Sequence, residues 1–251
     1  MLPLQQITEN MAFETIHLAE TDSTNRWLKE HGDERDLLVW TDYQTAGRGC
    51  GTNTWESEWG MNLLFSVLLH PSKVPANEQF ILSMANALAL RDTLADYIDE
   101  VKIKWPNDIY WRDYKIAGTL IETTLSGSSI KTCIIGTGIN VNQRQFRSDA
   151  PNPVSLCQIL GHEVDREEVL QKVVANITQY MDSLGSNSWD DIRTRYRNHL
   201  YRLGETHSFR FNDGAVEQCK LVNVTDDGHL ELLRENEETL LLAFKEVQFI
   251  I

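Results

Sequence analysis

Two lysines, one arginine and a set of glycines carry the chemistry this sequence could perform. Arg48 lies in QTAGRGCGTNTW (44–55), where Gly47, Gly49 and Gly51 recur at every second position. A residue without Cβ lets backbone N–H groups approach an anion closely. An arginine among them adds charge-assisted hydrogen bonds to phosphate or carboxylate. The spacing is neither that of a P-loop nor that of a dinucleotide fingerprint, and taken alone the stretch equally fits a flexible connection. KWPND (104–108) leads Lys104 into a stiff Trp-Pro pair, followed by Asn107 and Asp108. Such an element can hold a lysine in one place; a plain turn with Lys104 in solvent is the alternative. KIAG (115–118) offers a second lysine, Lys115, and Gly118, and an exposed hairpin lysine fits there as well as a role does. DSTN (22–25) reads as a helix cap or as hydroxyls of Ser23 and Thr24, with Asn25, facing a polar ligand edge. GTGIN (136–140) places Gly136 and Gly138 where an apolar strand is expected to break, with Asn140 after them. Strand glycines mark a ligand's close approach or a bulge.

Composition narrows the classes. The chain has 251 residues, 41% hydrophobic and 24% charged, enough for a substantial core. Its 23 basic and 37 acidic residues leave a net charge of -14, which disfavours DNA and anionic membrane surfaces as partners. Anionic ligands must therefore be held by local cations. Cys50, Cys133, Cys157 and Cys219 form no CxxC pair and no zinc spacing, so free thiols in a reducing cytoplasm are expected. The first twenty residues carry no leader pattern, and no stretch approaches the roughly 20 apolar residues of a membrane span.

These segments need elements to position them. Alternation predicts strands over 13–20 and 37–43, an apolar run predicts a buried strand over 61–70, and DSTN opens a short helix over 22–32. The spacing of Phe80, Met84, Leu88, Ala95 and Ile98 predicts an amphipathic helix over 77–98. Strands follow at 101–105 and around KIAG, then at 130–142, with a polar loop over 142–155. Helices are predicted over 165–185, capped by Asp165 with Glu168 at N3, and over 189–204. From about 205 the pattern changes to short strands joined by turns such as Asn212-Asp213-Gly214 and Asp227-Gly228. An α+β body over 1–198 with a small β-barrel over 199–251 follows.

Each motif is modest alone, but their order is specific: DSTN, YQTAGRG with a downstream Trp, KWPND, KIAG, GTGIN. This order, over residues 14 to about 142, resembles the biotin–protein ligases, and the C-terminal hairpins resemble the SH3-like barrel that ends them. The resemblance implies a mixed-sheet fold related to the class II synthetases. It implies activation of biotin by ATP to biotinyl-5′-adenylate and transfer to a lysine of a biotin carboxyl carrier protein. Lys104 and Arg48 would be catalytic, Lys104 beside the biotin carboxylate and the α-phosphate. Ser23, Thr24, Asn25, Gln44, Gly47, Gly49, Cys50, Lys115, Gly118, Gly136 and Gly138 would line the biotin site with Arg48. Trp55, Asn107, Asp108 and Asn140 would serve ATP, with Asp108 either orienting Lys104 or helping to hold the Mg²⁺ that arrives on the nucleotide. No DNA or membrane partner is expected: only 21 residues precede DSTN, short of the ~60 that a DNA-binding module takes. Family members are monomers or homodimers, and the loop over 45–58 is expected to be mobile without ligand. Lipoate–protein ligases and octanoyl transferases are the nearest rivals, and a non-catalytic biotin- or nucleotide-binding module is the rival of another class. One departure stands out: Cys50 occupies the place where the family pattern continues with a second arginine, which implies a grip on the adenylate weaker by roughly 1.5–3 kcal/mol.

Overall fold

The computed structural model describes residues 13–51, 53–147, 152–185 and 189–251. The segment 1–12, on which most of the leader reading rests, lies outside them. The apolar runs of the sequence pair into one seven-stranded mixed sheet. It comprises β1 (Glu14–Thr21), β2 (Leu37–Gln44), β3 (Leu63–Leu69), β4 (Val101–Lys104), β5 (Asp108–Trp111), β6 (Tyr114–Ser126) and β7 (Ser129–Ile139), in the order β1-β2-β3-β7-β6-β5-β4. Only β1 and β2 run parallel; the rest pair antiparallel.

Helix α1 (Thr24–His31) lies on one face, over a small cluster of Leu28, Leu37, Val39, Leu68 and Ile134. On the other face α2 (Phe80–Ala95) packs against β4 and β5 and against α4 (Arg166–Ser183) and α5 (Asp190–Asn198). A short α3 (Leu156–Leu160), capped by Ser155, closes the loop expected to run irregularly to 155. The N-cap of α4 is Asp165, but its carboxylate accepts from the Glu167 N–H. Two expectations change here. Residues Ile81 to Leu90 of α2 are buried without a break, so this helix is covered on all sides instead of presenting one stripe. And β7 does not break at its glycines: Gly136 and Gly138 stay in register with both neighbouring strands.

The C-terminal unit is a five-stranded antiparallel sheet of β8 (Thr206–Phe211), β9 (Val216–Val224), β10 (Leu230–Arg234), β11 (Thr239–Leu242) and β12 (Val247–Phe249), ordered β11-β10-β9-β8-β12. Among the described residues no pairing joins β11 to β12, so the sheet is not closed by hydrogen bonds into the barrel expected. Its Phe209, Leu221, Val224, Leu230 and Leu232 join the same buried cluster as α2 and the central strands. The Trp105 indole N–H donates to Gly228 O at 2.9 Å, and the Arg197 Nε–H to Val224 O at 2.9 Å. The apolar core is therefore continuous across the expected boundary at 198/199.

Leu88, with no exposed surface at the middle of α2, is a direct probe of this packing. Leu88→Ala is expected to cost about 2–5 kcal/mol, seen as a lower urea midpoint at an unchanged slope. A loss below about 1 kcal/mol would contradict a helix buried on all sides.

Candidate active site

The α1 face of the sheet carries the sequence motifs, and strand register brings them together. On β6 and β7, Gly118 pairs with Gly138 and Leu120 with Gly136, while on β3 Ser66 pairs with Gly136. Residues two apart share a face, so Gly118, Gly136 and Gly138 make one strip of sheet without side chains. Two side chains fill the space. A Cβ on Gly136 would overlap Asn25 Oδ1, and a Cβ on Gly138 would overlap the Trp55 indole. A Cβ on Gly118 would stand 2.9 Å from Trp55 Cζ3 and 3.0 Å from Lys115 Cε.

At the start of α1, Ser23 holds the N-cap position, yet its side chain makes no capping bond. Ser23, Thr24 and Asn25 are all at least 95% buried, an unusual cost for capping-type residues unless they are hydrogen-bonded. Thr24 donates to Gln44 Oε1 from both its backbone N–H (2.8 Å) and its hydroxyl (3.2 Å). Ser66 Oγ lies 2.6 Å from Thr24 Oγ1 and 2.6 Å from Asn25 Oδ1. Asn25 Nδ2 donates to Glu122 Oε2 at 2.9 Å. Glu122 also accepts from Lys29 at 2.7 Å and pairs with Arg48 at 3.4 Å. Burial opposes ionisation of this carboxyl, but the hydrogen bonds from Lys29 and Asn25 and the charges of Lys29 and Arg48 outweigh it and hold it below the usual range.

The glycine stretch is a hairpin. Trp55 N–H donates to Gly47 O at 3.0 Å, Arg48 bridges Thr54, and Gly49 N–H donates to Asn53 O at 2.8 Å. Gly51 turns the tip at a φ of 71°, a conformation that favours glycine. Cys50 sits beside it, partly exposed and free. The hairpin returns Trp55 to the glycine strip, where its buried Nε1 has no hydrogen-bond partner among the described residues. Thr52 lies outside the described residues.

The two lysines occupy different places. Lys115 Nζ pairs with Asp108 Oδ2 at 2.7 Å, lies 5.9 Å from the Trp55 ring centroid, and rests over Gly118. Lys104 does not reach the strip. Its ammonium group packs 5.3 Å from the Tyr110 ring centroid and 4.8 Å from that of Phe249, which comes from β12. Burial pulls its pKa below the usual lysine value; Asp108 opposes this, and the charges of Lys115 and Arg202 add to it. The Asn140 side chain is already used: its amide donates to Val154 O at 3.1 Å and tethers the chain after β7. Asn107 lies partly exposed beside Pro106 and makes no hydrogen bond among the described residues. Sequence reasoning missed Ser66 and Glu122. Ser66 is the single polar residue in LLFSVLL, and Glu122 falls at an even spacing from Gly118, both readable signals.

Comparison with known proteins places this arrangement. Residues 18–140 match the Biotin/lipoate A/B protein ligase family. The biotin–acetyl-CoA-carboxylase ligase of Paracoccus denitrificans is 30% identical over 241 residues, 92% of this chain and 99% of that protein. The chain belongs to the biotin–protein ligase family. The bifunctional ligase/repressor BirA of Bacillus subtilis is 29% identical over 226 residues, 88% of this chain and 68% of that one. Among solved structures, the biotin protein ligase from Aquifex aeolicus in complex with biotin and ATP superposes with a TM-score of 0.80 at 29% identity, covering 94% of this chain and 99% of that one. The family carries the mixed α+β fold described above, and the glycine hairpin and both lysine motifs fall inside the matched span of this biotin–protein ligase.

Gly136→Ala must displace Asn25 from Ser66 and Glu122. Overpacking of this kind costs about 1–3 kcal/mol, and for a chain of this size each kcal/mol lowers Tm by roughly 2–4 °C. Calorimetry should show that drop; an unchanged Tm would contradict the close fit between Asn25 and β7.

Proposed function

We propose that this enzyme activates biotin with ATP to biotinyl-5′-adenylate and transfers the biotinyl group to a lysine of a biotin carboxyl carrier protein. The observation that carries the reading is the glycine strip bordered at one end by buried hydroxyl and amide groups and at the other by a lysine. A fused ureido ring needs a flat seat together with donors and acceptors. The strip supplies the first, and Ser23, Thr24, Asn25 and Gln44 supply the second. A lipoyl or octanoyl chain carries no ureido donors or acceptors to engage those polar groups.

The valeryl carboxylate then extends toward Lys115 and the hairpin. One carboxylate oxygen attacks the α-phosphorus, the bond to pyrophosphate breaks, and pyrophosphate leaves. Both reactants are anionic, so the barrier is lowered by fixed cations and by alignment. Lys115 is placed for the carboxylate, Arg48 for the carboxylate–phosphate region, and Lys104 for charge developing on the α-phosphate. Trp55 rests directly on the strip in this structure, so the ring takes its seat as the hairpin moves Trp55 off it. In the second step the neutral amine of the carrier lysine attacks the acyl carbon of the mixed anhydride, AMP departs, and the amine proton passes to water. Neither step needs an enzyme nucleophile.

Magnesium enters this reading on the nucleotide. Asp108 is paired with Lys115, and among the described residues no group of three or more His, Cys, Asp or Glu side chains could hold an ion. The four cysteines are free, which supports a reducing compartment. Among the described residues no helix is long and apolar enough to cross a membrane. The acidic balance disfavours DNA as a partner.

The test is ATP–pyrophosphate exchange. It should require biotin, and lipoate should not replace it. Lys115→Ala and Lys104→Ala should each lower the rate by about 10²–10³, as removal of one preorganised charge donor does elsewhere. The charged form of Lys104 is the active one, and its lowered pKa means that charge is lost as pH rises, at a pH below the ordinary lysine value of 10.5. Exchange should therefore fall on the alkaline side, and Lys104→Arg should remove that fall. Exchange driven equally by lipoate would overturn the substrate assignment.

A further inference from the structure

The chain over 243–246 joins β11 to β12 in a tight turn. Glu246 N–H donates to Ala243 O at 3.1 Å, and Ala243 N–H donates to the Glu246 carboxylate at 2.7 Å. Within it Phe244 meets the Trp105 ring edge-on at 5.9 Å, which seats the turn on the KWPND segment. The next residue, Lys245, holds a φ of 75° and reaches the tip of the glycine hairpin. A Cβ on Gly51 would stand 2.8 Å from Lys245 Nζ. One turn of the C-terminal sheet thus touches both motifs that face the nucleotide in the reading above.

The charges at this end of the site make that contact informative. Arg48 is paired with Glu122, Lys115 with Asp108, and Lys104 is packed between aromatic rings. The hairpin has no basic residue between Arg48 and Trp55. Lys245 is exposed, and among the described residues it forms no ion pair. In a chain of net charge -14, an uncompensated ammonium held against a glycine turn is a site for an anion. A glycine at position 51 leaves room for it.

We propose that Lys245 binds the β- and γ-phosphates of ATP, so that the C-terminal sheet supplies the polyphosphate cation which the hairpin itself lacks. This rests on the reading of the chain as an ATP-dependent ligase. Lys245 stabilises the pyrophosphate group as the bond to the α-phosphorus breaks, and it contacts neither biotin nor the adenosine.

Calorimetric titration tests the assignment without requiring turnover. The probes are a non-hydrolysable ATP analogue, inorganic pyrophosphate and AMP, added to the native protein, Lys245→Ala, Lys245→Glu and Lys245→Arg, with Tm measured for each. Loss of one charge-assisted contact should weaken ATP and pyrophosphate by about ten-fold in Lys245→Ala, and by more in Lys245→Glu. AMP should bind all four proteins alike, and Lys245→Arg should stay near the native values. ATP affinity unchanged in Lys245→Ala would overturn the proposal. So would a fall in AMP affinity equal to the fall for ATP, which would mark a general loosening of the hairpin. Biotin-dependent exchange by the native protein is read separately: its absence would defeat the ligase reading, while the titration would still decide Lys245.

Discussion

The register that sets Gly118 opposite Gly138, with Gly136 one step along the same face, is the constraint on which the site depends. A sheet face normally presents a side chain at every second position, and those side chains fill the layer above it. Here three positions are bare, and the layer is filled from outside the sheet by Asn25 from α1 and Trp55 from the hairpin. Slipping either strand by one residue would turn the glycines into the α2 core and place branched side chains under α1. The pairing of β6 with β7, unbroken from the Ala117/Ile139 pair to the Thr124/Thr132 pair and buried on the far face by Ala117, Ile135 and Ile139, forbids that slip. The core on one face thus fixes the empty surface on the other.

Electrostatics follow the same economy. An acidic chain that handles anions must concentrate its cations at the site and hold them there. Glu122 and Asp108 each hold one cationic end in place: Arg48 with Lys29, and Lys115. Such pairs contribute little stability at partly exposed positions. Their value lies in orientation, since a guanidinium and an ammonium group already aimed at the site lose less freedom when an anion arrives. Lys104 follows another route, with aromatic rings of two sheets packed against its ammonium group. Phe249 among them ties the C-terminal sheet to the site by contact.

Much of this was legible in the sequence, for identifiable reasons. Gly136 and Gly138 read as points of close ligand approach, though with a break in the strand that their register does not show, and DSTN before a helix had to place hydroxyls at its start. The order of the motifs then carried the family. What stayed hidden depends on distance in three dimensions. The burial of α2 on all sides could not be read from its own periodicity, because Ser83, Asn86 and Thr93 look like a polar face until Asn176 of α4 meets Thr93 and Thr119 of β6 meets Asn86. Ser66, the single polar residue of β3, and Glu122, on the glycine face of β6, were visible but without meaning until strand pairing put them beneath Asn25. Lys104 read as the catalytic lysine and Lys115 as part of the biotin lining; that Lys115 rests over the glycine strip while Lys104 packs against Tyr110 and Phe249 is visible only in three dimensions. Lys245 carried no local signal at all: its proximity to Gly51 joins residues almost two hundred positions apart.

The central claim is that the bare strip on β6 and β7 is the seat of the biotin ring, and calorimetric titration of biotin into the native protein and into Gly138→Ala tests it most directly. An added methyl group on the strip should exclude the ring. The account predicts biotin affinity lower by about ten-fold or more, the equivalent of one overpacked contact, with binding of a non-hydrolysable ATP analogue retained. Equal biotin affinity in the two proteins would contradict it.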